Sequence, residues 1–242
     1  MKAMIFAAGK GTRLYPLTQT QPKALVPFRG IPLLESLIRK CIQYRITELV
    51  INIHHHGEQI IDFLERNKYF GITIHISDER DKLLDTGGGL KKAAPLLRGN
   101  EPILIHNVDI VSDLNFDDLL RHHQQGGSIA TLAVMNRESN RRFLVNDRHL
   151  LCGWENAATG ERKMATDCPG ILIPAAYCGI SIIESGFFWL MQQEEVFSLT
   201  DTFLQVAKTH PIRTVLFPNI RWADVGSVEK LKAAEELFDQ QP

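Results

Sequence analysis

Short, unbroken apolar runs alternate with amphipathic stretches through the first half of the chain. KAMIFAA (2–8), LVINI (49–53), ITIHIS (72–77) and PILIHNV (102–108) are too brief for buried helices and are bounded by glycine or polar residues, so they predict buried strands. Between them, Pro32 stands at a first-turn position. Leu33, Leu34, Leu37, Ile38, Cys41 and Ile42 follow at the three-to-four spacing of one helical face. EQIIDFLERN (58–67) and LKKAAPLL (90–97) read as further helices, the second expected to be cut short by Pro95. Strand-helix-strand repetition with short connections requires right-handed crossovers and a parallel sheet covered on both faces.

After the helical stretch DDLLRHHQQ (117–125) the rhythm changes. SIATLAVM (128–135), RFLVN (142–146), HLLCGW (149–154) and ILIPAAYCGISII (171–183) read as strands separated by polar turns. ENAATGERKMATDCPG (155–170) is poor in large apolar residues and predicts a mobile flap. Helices are expected over 184–192, 198–209 and 228–238, with a strand over 212–217. There is no internal repeat, low-complexity tract or linker, so the β-rich part is expected to fold as a lid onto the sheet within one domain spanning 1–242.

The 242 residues carry 27 Lys and Arg against 28 Asp and Glu, a formal net charge of −1. Without a positive field or a basic block, nucleic acid and anionic membranes are poor partners, and small ligands become the expectation. Cys41, Cys152, Cys168 and Cys178 form no C-x-x-C pair and are too few for a disulfide scaffold. They are expected to be small core residues or unreactive thiols in a reducing cytoplasm. The run MIFAA before Gly9 is too short for a signal-peptide core, and no later segment reaches the roughly 20 apolar residues of a spanning helix.

The loop AAGKGTRLYPLTQTQPKAL (7–25) follows the first strand directly, and so falls at the carboxyl edge of the sheet where open α/β folds bind ligands. Glycines allow the backbone to approach an anion and turn its N–H groups toward it, while Arg13 and Lys23 add charge suited to polyphosphate. A solvated surface loop with turn glycines is the competing reading. The segment is neither a P-loop, lacking G-K-[ST], nor G-x-G-x-x-G.

It does resemble another pattern. Ala7-Ala8-Gly9-Lys10-Gly11-Thr12-Arg13-Leu14, then Pro16-Leu17-Thr18 and Pro22-Lys23, is similar to the signature loop of the nucleotidyltransferases that make nucleotide sugars from sugar 1-phosphates. The resemblance continues in order through Asn107-Val108-Asp109 and Trp222-Ala223-Asp224-Val225-Gly226. It implies an α/β fold, a Rossmann-like mostly parallel twisted sheet flanked by helices with a small β-rich sugar-binding lid. The nucleotide-binding part would span about 1–125, and the acceptor-binding and lid part about 126–242.

The implied reaction joins two anions: a sugar phosphate oxygen attacks the α-phosphate of a nucleoside triphosphate (NTP) and pyrophosphate leaves. Charge neutralisation and in-line positioning are what it demands. By the resemblance Arg13 stabilises the leaving pyrophosphate, and Lys23 contacts the α-phosphate and incoming phosphate. Thr12 and the amides around Gly9 to Arg13 hold the triphosphate, Ala7, Ala8, Gly9 and Gly11 bind the nucleotide, and Asp109 and Asp224 bind Mg²⁺. Hard oxygen ligands supplemented by substrate phosphates suit that ion. Asp85-Thr86-Gly87-Gly88-Gly89 resembles the segment flanking base and ribose, and three consecutive glycines exceed what helix capping needs. Thr86, Gly87 and Gly88 are therefore read as nucleotide contacts.

His54, His55 and His56 invite a zinc reading, which fails because neighbours on an extended segment point to opposite sides. A nucleotide contact, assigned to His54, or a solvated loop remains. His122 and His123 are expected at the surface. On the acceptor side no Glu-Lys-Pro occurs; Lys163 is the candidate for the phosphate, with Gly179 and Asn107 beside the sugar. A packing glycine in a strand is the other reading of Gly179.

The chain is short for this family. It stands nearer the compact N-acetylmuramate-1-phosphate uridylyltransferases and mannoheptose-1-phosphate nucleotidyltransferases, which implies bacterial envelope precursor synthesis or sugar recycling in the cytoplasm. The expected partners are an NTP and a sugar 1-phosphate, without nucleic acid or membrane; homodimerisation is left open. A cytidylyltransferase for phosphocholine, boxed by aromatic residues, is an alternative. So is a nucleotide-sugar-sensing subunit without turnover, which would not need Arg13, Lys23, Asp109 and Asp224 together.

Overall fold

The computed structural model describes residues 1–168, 170–191 and 194–239. Its centre is built from β1 (Lys2–Phe6), which is followed by a two-stranded ribbon of β2 (Pro27–Phe28) and β3 (Ile31–Pro32) and by helix α1 (Leu33–Gln43). Next come β4 (Glu48–Ile53), α2 (Gly57–Arg66), β5 (Thr73–Asp78), α3 (Asp85–Leu97) and β6 (Ile103–Asn107). β1 pairs in parallel with β4 and with β6, and β4 with β5, so the first half forms a parallel sheet in the order β6-β1-β4-β5.

Alternate residues of β1 supply two cores. Ala3 and Ile5 pack beneath α1 and α2 with Leu34, Ile38 and Leu64, whereas Met4 and Phe6 pack beneath α3 with Leu90 and Leu97. A strand buried on both faces must be apolar at every position, which is why these runs show no alternation.

The second half comprises β7 (Ile110–Ser112), α4 (Phe116–Gly126), β8 (Ala130–Met135), β9 (Arg141–Val145), β10 (Leu151–Asn156), β11 (Glu161–Met164) and the long β12 (Ile173–Ile183). α5 (Leu199–Ala207), β13 (Ile212–Leu216), β14 (Trp222–Asp224) and α6 (Val228–Asp239) complete it. β12 joins the two regions. Ile180–Ile183 pair antiparallel with β6, and Ile173–Ala175 pair with β9, extending the sheet through β10 to β11 as an antiparallel lid. β8 pairs with β12 and, in parallel, with β13.

Several local expectations are corrected. Helix α3 starts at Asp85 and runs through Pro95 to Leu97, because a proline in the last turn withdraws only one helical donor. The segment expected as a mobile flap is instead a β10–β11 hairpin, with Pro169 outside the described residues. The helix expected over 184–192 is a 3-10 segment, Ser185–Leu190, and Gln192 lies outside the described residues.

His123 is a core residue bonded to Thr131 Oγ1 and Glu184 Oε1, because it shares a helical face with Phe116 and Leu119; His122 is exposed. Cys41 and Cys178 are buried thiols, each pushed up to about 12 by burial. Cys152 and Cys168 are not thiols: they form a disulfide between β10 and the segment after β11. Among the described residues, no helix is long and apolar enough to cross a membrane.

Candidate active site

The loop after β1 passes over the carboxyl ends of β1, β4 and β6. Its first anchor is Asn52 on β4, nearly fully buried, whose Oδ1 accepts the N–H groups of Ala7 (2.7 Å) and Ala8 (3.3 Å). Asn52 Nδ2 donates to Glu79 Oε1 at 2.7 Å, and Glu79 Oε2 accepts the amide of Leu84 at 3.2 Å. Burial raises the Glu79 carboxyl above its ordinary range, against the bonds from Asn52 and Leu84 that favour its charge.

The amides of Ala7 and Ala8, two residues expected to bind the nucleotide, are therefore spent inside the protein. Those of Gly9 to Arg13 donate to no protein acceptor among the described residues; the loop's internal bonds begin at the amides of Leu14 and Tyr15 and continue with those of Leu17, Gln19 and Leu25. Gly11 O is held by Thr18 Oγ1 at 2.7 Å, and the 3-10 turn Thr12–Leu14 carries Arg13. A run of unspent amides beside cationic side chains is suited to phosphate oxygens.

Beside this loop lies a cleft of about 330 Å³ lined by Phe6, Ala8, Gly9, Asn52, Glu79 and Thr86, among others. Thr86 reaches it with its Oγ1 accepting from the Leu199 amide at 2.9 Å. The glycines behind it, Gly87 and Gly88, read as nucleotide contacts, have internal partners. Both amides donate to Phe197 O, at 2.9 and 3.2 Å. A Cβ at Gly87 would enter the Phe197 ring, one at Gly88 would strike Glu195 O, and one at Gly89 would come within 2.6 Å of Glu79 Oε1. The triplet lets α3 close on the 195–197 segment and on Glu79. His54 does not line the cleft, and its Nδ1 is buried and, among the described residues, without a hydrogen-bond partner.

The charged centre is assembled by a small ribbon. β14 pairs antiparallel with β7, setting Asp224 opposite Ile110, and the amide of Val225 donates to Asp109 O at 2.9 Å. Gly226 marks where the groups converge: a Cβ there would lie 2.7 Å from Asp224 Oδ1, 3.2 Å from Arg13 Nη2 and 3.5 Å from Asp109 Oδ2. Lys23 Nζ is bonded to Asp109 Oδ2, and both side chains are largely buried.

Asp224 Oδ1 accepts the Gly226 amide at 2.9 Å, and Oδ2 pairs with Lys230 at 2.7 Å. Burial pushes the Asp224 carboxyl up, but Lys230, the Gly226 amide and the field of Lys23 together hold it below the usual carboxylate range. Arg13, Lys23, Asp109 and Asp224 are thus gathered at one point. Two converging carboxylates are hard oxygen donors of the kind a divalent cation takes when phosphate and water complete its shell; among the described residues, no group of three or more His, Cys, Asp or Glu could hold a metal alone.

Asn107 and Gly179 also meet. β12 carries a register shift against β8 between Tyr177 and Ser181, and Gly179 within it has φ of 72°, in the left-handed region. A Cβ at Gly179 would lie 2.9 Å from Ile110 Cγ1 and 3.0 Å from Asn107 Nδ2, so the glycine both turns the bulge and admits the Asn107 amide. Lys163 is not brought to this group. On β11 it pairs with Asp201 at 3.1 Å and lies over the Trp154 ring, lining a separate cavity of about 320 Å³ with Arg141 and Ser198.

Residues not singled out from sequence complete the site. Asn52 is a polar residue inside an apolar run, a signal that could have identified it. Glu79 and Lys230 carry no such mark: Glu79 meets Asn52 from the end of another strand, and Lys230 pairs with Asp224 six residues earlier in the chain.

Residues 2–146 match the model of the family described as Nucleotidyl transferase. An N-acetylmuramate alpha-1-phosphate uridylyltransferase of Neisseria meningitidis is 43% identical over 116 residues, covering 48% of this chain and 50% of that one. A mannose-1-phosphate guanyltransferase of Gibberella zeae is 35% identical over 147 residues, covering 60% of this chain and 40% of its own length. The matched stretches thus span half or less of these relatives.

Among solved structures, a UDP-glucose pyrophosphorylase from Acinetobacter baumanii superposes with a TM-score of 0.76 at 16% identity, covering 97% of this chain and 91% of that one. An inositol-1-phosphate CTP transferase from T. maritima has a TM-score of 0.76 at 14% identity, with 98% and 94% covered. These structures share the fold, a sheet with a parallel half flanked by helices. With the signature loop, the converging Asp109 and Asp224 and the family match over residues 2–146 taken together, the chain belongs to the nucleotidyl transferase family.

Proposed function

We propose that this protein transfers a nucleoside monophosphate from an NTP to a sugar 1-phosphate, with Mg²⁺ and with release of pyrophosphate. The observation that carries the reading is the convergence of Arg13, Lys23, Asp109 and Asp224 around Gly226, next to a loop with unspent amides. Transfer between two anions is limited by charge and alignment, and this centre supplies both. The amides of Gly9 to Arg13 bind the triphosphate, and Arg13 offsets the charge that develops on the leaving pyrophosphate. Lys23 exchanges its Asp109 partner for the transferred phosphoryl group. Asp109 and Asp224 would hold the Mg²⁺, which when bound neutralises phosphate charge at the reacting centre. The cleft against Asn52, Glu79 and Thr86 takes the nucleobase and ribose.

Uridylyl transfer to N-acetylmuramate 1-phosphate is the pairing we favour, a cytoplasmic step toward a bacterial envelope precursor, supported by the relative at 43% identity. Guanylyl transfer to mannose 1-phosphate is the second reading, supported by the relative at 35%. The test is pyrophosphate release with Mg²⁺ across UTP, GTP, CTP, ATP and dTTP against N-acetylmuramate, mannose, glucose and mannoheptose 1-phosphates and phosphocholine. Release that requires one nucleotide and one sugar phosphate is expected. Release with phosphocholine alone, or none from folded protein that binds nucleotide, would overturn the assignment in favour of the choline or sensing reading.

A further inference from the structure

A cavity of about 400 Å³ opens beside Asp224, and one of its walls is Arg137. The Arg137 guanidinium lies 4.0 Å from the Trp222 ring centroid, a stacked position held because Trp222 Nε1 donates to Cys178 O at 2.8 Å. Two of its donors are spent on carbonyls, Nη2 on Tyr177 O at 3.0 Å and Nη1 on Glu138 O at 3.3 Å. Nε is buried and unpartnered among the described residues. A guanidinium offers five N–H donors in a planar fork, so most of this one is uncommitted.

Of the carboxylates in the lining, Asp224 acts favourably on this cation through its charge, but neither it nor the Glu138 carboxylate accepts a hydrogen bond from the guanidinium among the described residues. Asp224 is paired with Lys230 and Gly226, and Glu138 is exposed to solvent. Holding a half-buried cation against an aromatic face with unspent donors is unfavourable without a polar partner, and a planar anion is the partner its fork matches.

Because Asp224 belongs both to this cavity and to the charged centre, an acceptor whose phosphate sits at that centre can extend a second group toward Arg137. We infer that Arg137 is a specificity-determining residue for an acceptor carrying a carboxylate in addition to its phosphate, the carboxylate seating on the Arg137 fork. The inference rests on the transfer reaction proposed above and narrows its acceptor class: N-acetylmuramate 1-phosphate has such a group on its lactyl ether, whereas N-acetylglucosamine 1-phosphate is the same sugar without it.

The test compares those two acceptors, with UTP and Mg²⁺, for the native protein and for Arg137→Met and Arg137→Lys. The readout is the ratio of kcat/KM for the muramate over the glucosamine compound. The ratio is expected to fall about tenfold or more in Arg137→Met, through KM, with Arg137→Lys in between. Thermal unfolding of each variant checks that it is folded, and Arg137→Lys carries the comparison where the methionine variant is not. An unchanged ratio overturns the inference, as does a native protein that transfers to sugar phosphates without a carboxylate with no preference for the muramate; in both cases the proposed reaction stands. A native protein silent with every acceptor overturns the reaction itself. Calorimetric titration with the two sugar phosphates then decides Arg137 separately: binding of the muramate that Arg137→Met does not weaken, or no binding at all, refutes the inference.

Discussion

Lys23 and Asp109, 86 residues apart in the chain, are joined as an ion pair in which both side chains are largely withdrawn from solvent. A cation and a carboxylate held together at low exposure keep each other placed, ready to exchange partners when phosphate arrives. Asp109→Asn keeps the shape but loses the charge. It is expected to abolish Mg²⁺-dependent pyrophosphate release while the circular dichroism spectrum stays native. Lys23→Met is expected to lower kcat by about 10²–10³, and a variant that changed only KM would show Lys23 to be a binding contact.

Lys230 is the strongest influence drawing the Asp224 carboxyl below its usual range, against a larger upward push from burial. Lys230→Met should therefore raise the pKa of Asp224. Since an anionic Asp224 is the form that binds a cation, the acid limb of the pH–rate profile is expected to move to higher pH in the variant. A profile that superposes on the native one would remove Lys230 from this role. The same pair stabilises the fold above the unfolded-state pKa of Asp224, and that stability is lost as pH falls through the lower folded value.

Burial lowers Lys40 to about 8, opposed by the Asp113 charge, and its ammonium donates to Ser112 O at 2.7 Å. Below that value both the folded and unfolded chains hold the proton; between it and the ordinary lysine value only the unfolded chain does, so this group's contribution to stability rises with pH. Urea unfolding of the native protein and of Lys40→Met across that window should diverge by about 1–3 kcal/mol in favour of the native chain as pH increases. Parallel curves would refute the assignment.

At Gly88, a Cβ would strike Glu195 O and lie 2.9 Å from Leu84 Cβ. A backbone oxygen cannot swing aside as a long side chain can. Gly88→Ala is expected to cost about 2–4 kcal/mol in denaturant unfolding despite alanine's better helix propensity. A neutral substitution would mean that the 195–197 segment yields freely.

The Cys152–Cys168 disulfide spans 16 residues and ties the end of the β10–β11 hairpin to β10. Restricting a loop of that size in the unfolded chain stabilises by about 2–3 kcal/mol. Reduction, or Cys152→Ser with Cys168→Ser, is expected to lower Tm, and the double variant should lose all sensitivity of Tm to reductant.

Much of the first half of the chain was legible from its sequence. KAMIFAA, LVINI, ITIHIS and PILIHNV appear as β1, β4, β5 and β6, because strands buried on both faces need apolar residues at every position and short loops leave few topologies. The signature loop was legible as motif but not as mechanism. Nothing local says that Ala7 and Ala8 give their amides to Asn52, or that Gly87 and Gly88 give theirs to Phe197. His123 was misread because a polar helix residue looks the same in sequence whether it faces water or a buried Thr131.

Sequence by itself determined the elements whose cause is local: hydrophobic period, turn residues, and the glycine and cation content of the first loop. Tertiary structure alone decided which distant groups meet. The β7–β14 ribbon brings Asp224 beside Asp109, β12 seats Gly179 on Asn107, and Trp222 sets Arg137 at the mouth of the neighbouring cavity. Each of these contacts joins residues from separate elements, and its energy depends on burial and on the charge of the partner. Neither quantity is written in the periodicity of either segment.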